Sequence, residues 1–172
     1  MMNFTRIALA FALITLFSYT SSAQSPGYGL RAGINLSSFG GDAGNSDTRI
    51  GLNIGAYLNK SLQGNFAYQP EASISLEGDD DISFTNLNLG VMGKYNMSDL
   101  VFEAGPQLGF ILGDDDANAE SLNLTLGLGA GYIISEKLVG GIRYNAGLSD
   151  VFGIPNANVT NNTFSFNVFI AL

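Results

Sequence analysis

The chain has 172 residues, 22 of them Gly, with only 13% charged side chains and a formal net charge of −8. The absence of Cys and His excludes disulfide scaffolds, thiolate metal sites and every Ser-His-Asp or Cys-His catalytic arrangement. The acidic balance argues against nucleic acid as a partner, and a mean hydropathy of +0.20 is high for a soluble protein.

Residues 1–23 read as a cleaved secretory signal peptide. Arg6 supplies the positive n-region, 7–17 an apolar h-region, and Ser21-Ser22-Ala23 a small-residue cleavage site before Gln24. The apolar run is too short to span a bilayer, which argues against a retained anchor, and no Cys follows it to carry a lipid. The remaining residues, 24–172, form one domain with six basic and fifteen acidic side chains, a net charge of −9.

Eight segments with strand periodicity follow. The first, 28–37, sets Tyr28, Leu30, Ala32, Ile34 and Leu36 against Gly29, Arg31, Gly33 and Asn35. The second, 49–59, sets Ile50, Leu52, Ile54, Ala56 and Leu58 against Gly51, Asn53, Gly55 and Tyr57. The third, 65–77, sets Phe66, Tyr68, Pro70, Ala72, Ile74 and Leu76 against Gln69, Glu71, Ser73 and Ser75. The fourth and fifth form a hairpin over 87–112, with a polar turn at 96–99. Its apolar face carries Leu87, Leu89, Val91, Tyr95, Phe102, Leu108, Phe110 and Leu112, and its polar face Asn88, Lys94, Glu103 and Gln107. The sixth, 122–135, alternates Leu with Asn, Thr and Gly. The seventh, 138–149, sets Ile142, Tyr144 and Ala146 against Gly141, Arg143 and Asn145. The eighth, 163–172, carries Phe164, Phe166, Val168 and Ile170 on one face. Pro70 and Pro106 sit inside strands, where a missing ladder donor predicts bulges.

Strands of roughly 10–14 residues can cross a bilayer at a tilt. Their connections alternate between short turns and longer loops, the pattern of an all-β, eight-stranded, antiparallel, up-and-down transmembrane barrel. A soluble lipocalin-like barrel shares the alternation with the apolar face inward. Three features favour the inverted arrangement. The polar face is mostly Gly, Asn and Ser rather than charged. The apolar face gathers Tyr28, Phe66, Tyr68, Tyr95, Phe102 and Tyr132 near the short turns and Phe110, Phe164 and Phe166 near the long loops, as interfacial girdles do. The polar face also mixes opposite charges at strand interiors: Arg31, Lys94 and Arg143 with Glu71 and Glu103. With Gln107 these form a predicted lumenal network, for which the inward glycines make room. Closure requires the eighth strand to pair with the first.

Other motifs carry less. Asp114, Asp116, Asn118 and Glu120 alternate like the start of an EF-hand loop, but Ala119 stands where Gly is needed and Thr125 where the bidentate Glu belongs. These residues are weak candidates for a divalent cation and read first as a solvated loop. Gly127, Gly129 and Gly131 lack the GxGxxG spacing and any following helix, so they read as strand glycines rather than a nucleotide loop.

Four stretches together resemble the PorT-like outer-membrane β-barrel family of Bacteroidota. They are Gly29-Leu30-Arg31-Ala32-Gly33-Ile34-Asn35, then Gln69-Pro70-Glu71, then Lys94-Tyr95 with Glu103-Ala104-Gly105-Pro106-Gln107, and Arg143-Tyr144-Asn145-Ala146-Gly147-Leu148. Leu172 departs from the aromatic C-terminal residue frequent in such barrels. The resemblance implies insertion into a Gram-negative outer membrane by the barrel-assembly machinery, contact with outer-membrane lipid and lipopolysaccharide, and both termini periplasmic. It also raises secretion-system subunits as partners. The expected function is a non-enzymatic envelope barrel without cofactors; a small pore, a lipid-modifying enzyme and a soluble binding barrel are the alternatives.

Overall fold

The computed structural model describes residues 27–43, 47–79, 83–114, 122–152 and 158–172. Eight strands fill this span: β1 (Gly27–Gly41), β2 (Arg49–Ser61), β3 (Phe66–Gly78), β4 (Ser83–Met97), β5 (Leu100–Asp114), β6 (Leu122–Ser135), β7 (Leu138–Gly147) and β8 (Val159–Ala171). Each pairs antiparallel with its sequence neighbour, and β8 pairs with β1 from Gly29↔Ala171 to Gly41↔Val159, so the sheet closes into a barrel. Closure leaves no open sheet edge, as a strand structure in hydrocarbon requires. The predicted signal segment, 1–23, lies outside the described residues.

Alternation places the apolar face outward. On β2, Ile50, Leu52 and Ile54 are 72%, 61% and 63% exposed, while Asn53 between them is 8% exposed. The most deeply buried side chains include Arg143, Gln69, Asn35 and Asn86. A polar interior under an apolar exterior is the reverse of a water-soluble fold. Tyr28, Phe66, Tyr95, Phe102 and Tyr132 stand exposed near the short-turn rim, and the rings of Phe66 and Tyr95 meet at 5.1 Å. The ends of the barrel meet at the same rim: the Leu172 amide donates to the Tyr28 carbonyl, and the Ala171 amide to the Lys137 carbonyl, each at 2.9 Å.

Two expectations need correction. Neither proline makes a bulge. Between β2 and β3, Tyr57 opposes Glu71 and Lys60 opposes Tyr68, so the ladder lapses beside Pro70 while the register holds. Between β4 and β5 it lapses likewise beside Pro106, from Gly90↔Gln107 to Gly93↔Ala104. Losing one donor interrupts pairing without an inserted residue. The register shifts fall instead at Thr85/Asn86 and at Ile133/Ser135. Strand limits also differ. β1 runs on to Gly41 and β8 begins at Val159, because Phe39 and Val159 prolong the inward face toward the long loops.

Candidate functional site in the lumen

Inward side chains fill the barrel in successive layers. At the short-turn end Tyr57 and Phe169 meet edge to face at 5.8 Å, and the Lys94 ammonium lies 5.2 Å from the Phe169 ring centroid and 5.9 Å from that of Tyr57. The Tyr57 ring occupies the space a Cβ would need at Gly29 on the neighbouring strand. Aromatic faces shield the ammonium while their quadrupoles stabilise it.

The middle layer is an ion-pair cluster. Arg143 donates through Nε to Glu103 at 2.7 Å and through its terminal nitrogens to both Glu71 oxygens. Arg31 donates to Glu71 Oε1 at 3.3 Å and to Ser73 Oγ at 2.7 Å. Lys94 lies 3.8 Å from Glu103, its opposite neighbour in the β4–β5 ladder, and donates to Gln69 Oε1 at 2.6 Å. Gln69 in turn donates to Glu71 Oε2 at 2.9 Å. Gln107 sits at the margin, donating to Asn145 Oδ1 at 3.3 Å. The structure therefore brings Arg31, Glu71, Lys94, Glu103 and Arg143 into one hydrogen-bonded unit, with Gln107 beside it. Buried charges persist only when paired in this way.

Glycines create the space. A Cβ at Gly129 would stand 2.7 Å from Glu103 Oε1, and one at Gly127 2.9 Å from Asn145 Oδ1 and 3.0 Å from Gln107 Nε2.

Above the cluster lies an amide layer that sequence reasoning missed. Glu77 accepts from Asn161 Nδ2 at 2.6 Å, from Asn86 and Asn88 at 3.2 Å each, and from the Ser75 hydroxyl. Its parity with Glu71, Ser73 and Ser75 was the available signal. The interior carboxylates Glu71, Glu77 and Glu103 thus balance Arg31, Lys94 and Arg143 across two layers.

The long-loop end is closed by apolar side chains. Phe39, Phe84, Val151 and Val159 are buried together, with Phe39 stacked on Phe84 at 6.3 Å and edge-on to Phe152 at 5.1 Å. Asp150 Oδ1 accepts from the amides of Phe152 at 3.3 Å and Val159 at 2.9 Å, which folds Val151 into the mouth. The metal candidates do not enter this arrangement: Asp116, Asn118, Glu120 and the side chain of Asp114 lie outside the described residues. Among the described residues, no group of three or more Asp and Glu could hold a metal ion.

Residues 9–169 match the family model described as outer membrane protein beta-barrel domain. No curated protein matches the sequence. Among solved structures the barrel is similar to surface protein A of Neisseria, at 17% identity and a TM-score of 0.57, covering 84% of this chain and 97% of that one. It is also similar to Ail, the attachment invasion locus protein of Yersinia pestis, in complex with the heparin analogue sucrose octasulfate. That match has 12% identity and a TM-score of 0.57, covering 87% of this chain and 100% of that one. Identities this low carry the fold alone.

Proposed function

The chain belongs to the outer membrane protein beta-barrel domain family, and from that premise we propose a non-enzymatic, non-conducting envelope barrel with a structural or accessory role. The filled lumen carries this reading. Arg143 and Gln69 are 1% and 0% exposed inside the barrel, and apolar residues close the long-loop mouth. Eight strands leave little more than side-chain volume in the interior, and here that volume is used.

Short turns and both chain termini face the periplasm, and the long loops face outward, the usual disposition in such barrels. Ten of the fifteen acidic residues lie in or beside the four long-loop connections, against Arg49 as the basic residue there. The loops are then the working surface, meeting lipopolysaccharide through divalent cations rather than through direct anion contacts. The polyanion contact named for Ail does not carry over to loops of this charge. A second reading, an accessory of a protein secretion system, is favoured by the four PorT-like motifs.

The proposal is tested by recording purified barrels in planar bilayers, with no stable conductance expected; a reproducible open step would establish a pore instead. Crosslinking in intact envelopes separates the two roles. Recovery of secretion-machine subunits favours the accessory reading, and recovery of lipopolysaccharide without them favours the structural one.

A further inference from the structure

The lumen is neutral in sum but uneven along its axis. The middle layer holds three cations, Arg31, Lys94 and Arg143, against the carboxylates of Glu71 and Glu103. The third carboxylate, Glu77, lies in the amide layer toward the long loops. One cation is therefore in surplus toward the short turns. Lys94, near the end of β4, is the cation closest to that rim. Its side chain is 12% exposed, against 0% for Arg143. Its ammonium is also incompletely coordinated. Among the described residues it donates one hydrogen bond, to Gln69 Oε1, although an ammonium carries three donors. Glu103, drawn to Arg143 Nε at 2.7 Å, stays 3.8 Å away, beyond hydrogen-bond reach.

Between Lys94 and the short-turn rim the inward face changes character. Val101 and Val139 keep the inward parity of Glu103 and Arg143, and Ile133 opposes Val139. Gly131 and Gly141 oppose each other in the same ladder and put no side chain into the lumen. A Cβ at Gly141 would lie 3.5 Å from the Phe169 ring. Lys94, Tyr57, Ile133 and Val139 are half-buried, whereas the inward side chains of the ion-pair and amide layers are buried. The lumen thus opens at the short-turn rim as a narrow, mostly apolar vestibule that ends at the Lys94 ammonium.

We infer that this vestibule binds a carboxylate carried on a slim apolar body: the carboxylate accepts from Lys94, and the body lies against Val101, Val139 and the Phe169 ring. The surplus cation offsets repulsion from Glu103, which is already paired with Arg143. The ion-pair cluster stops the ligand, so it binds without crossing the barrel. It arrives from water at the short-turn rim, so its apolar body is desolvated on binding, unlike that of a lipid already in the bilayer. A short fatty acid and a peptide C-terminus with an apolar last residue share this chemistry.

The test is methyl NMR of the barrel in nanodiscs, read at Val101 and Ile133. Hexanoate and N-acetyl-alanyl-phenylalanine are each titrated against their primary amides. A carboxylate should shift both methyl groups saturably, and its amide should bind at least about tenfold more weakly. A response to hexanoate alone assigns a free fatty acid, and a response to the dipeptide assigns a chain terminus. Lys94→Gln keeps the Arg143–Glu103 pair and should abolish the response, as should Val139→Phe, which narrows the vestibule without altering its charge. Absence of a saturable shift with either carboxylate, equal responses to acid and amide, or an unchanged response in Lys94→Gln would each overturn the inference. The comparison of acid with amide decides the matter on the wild-type barrel, whatever the folding of the variants.

Discussion

Glu71 accepts hydrogen bonds from two arginines that reach it from different strands, Arg31 on β1 and Arg143 on β7. Its sequence neighbours gave its face, and the other inward charges gave a set of candidate partners, but not which of them it meets. Arg143 lies 72 positions away, and only the closed circumference brings β7 across the lumen to β3. Lys94 and Glu103 could be paired beforehand because a tight hairpin makes them direct opposites. Replacing Glu71 by Gln leaves two buried guanidinium groups short of charge, a loss of about 3–5 kcal/mol. The folded band of Glu71→Gln should vanish at a lower temperature than wild type in a gel-shift series; unchanged heat resistance would show that the network does not hold the barrel. Gly129 tests the space rather than the charge. A methyl group there meets Glu103 Oε1 at 2.7 Å and the Ile142 carbonyl at 2.9 Å. Gly129→Ala should cost about 1–3 kcal/mol, seen as a lower urea midpoint for unfolding in micelles.

At the scale of single elements, period-2 alternation was enough to count and order the strands, since a one-residue slip would carry an entire face across the wall. Strand ends were less legible. Phe39, Phe84 and Val159 keep the inward parity of the polar residues beside them, but as apolar side chains next to loop signals they mark an end to the polar face. Their burial became visible only when the loop between β7 and β8 brought Val151 over them. The prolines misled for a related reason: a missing donor can be absorbed as a gap in the ladder. The β4–β5 turn offers a further test. Ser98 has φ of 54°, the first central position of a two-residue hairpin, where Gly is favoured. Ser98→Gly should raise the urea midpoint by relieving about 1 kcal/mol of strain; a lower midpoint would mean that the turn gains more from the hydroxyl than it loses in backbone strain.

For the whole molecule, the residues that mark the family resemblance and those that fill the lumen are largely the same. Arg31, Gln69, Glu71, Lys94, Glu103, Gln107 and Arg143 come from four separated motifs and converge inside one barrel. Such motifs describe how a narrow barrel is packed, which is why they revealed the architecture and little of the biological task. With the lumen filled by these polar side chains, the apolar face is left to meet lipid. Because the chain has no Cys, each introduced thiol is unique. Bimane placed singly at Ile54, Ile74 and Leu89, on β2, β3 and β4, measures this most directly in vesicles containing lipids brominated along their acyl chains. Quenching by the lipid bromines is expected at all three positions, with little effect of aqueous iodide. Labels that are insensitive to brominated lipid, or quenched mainly by iodide, would contradict it.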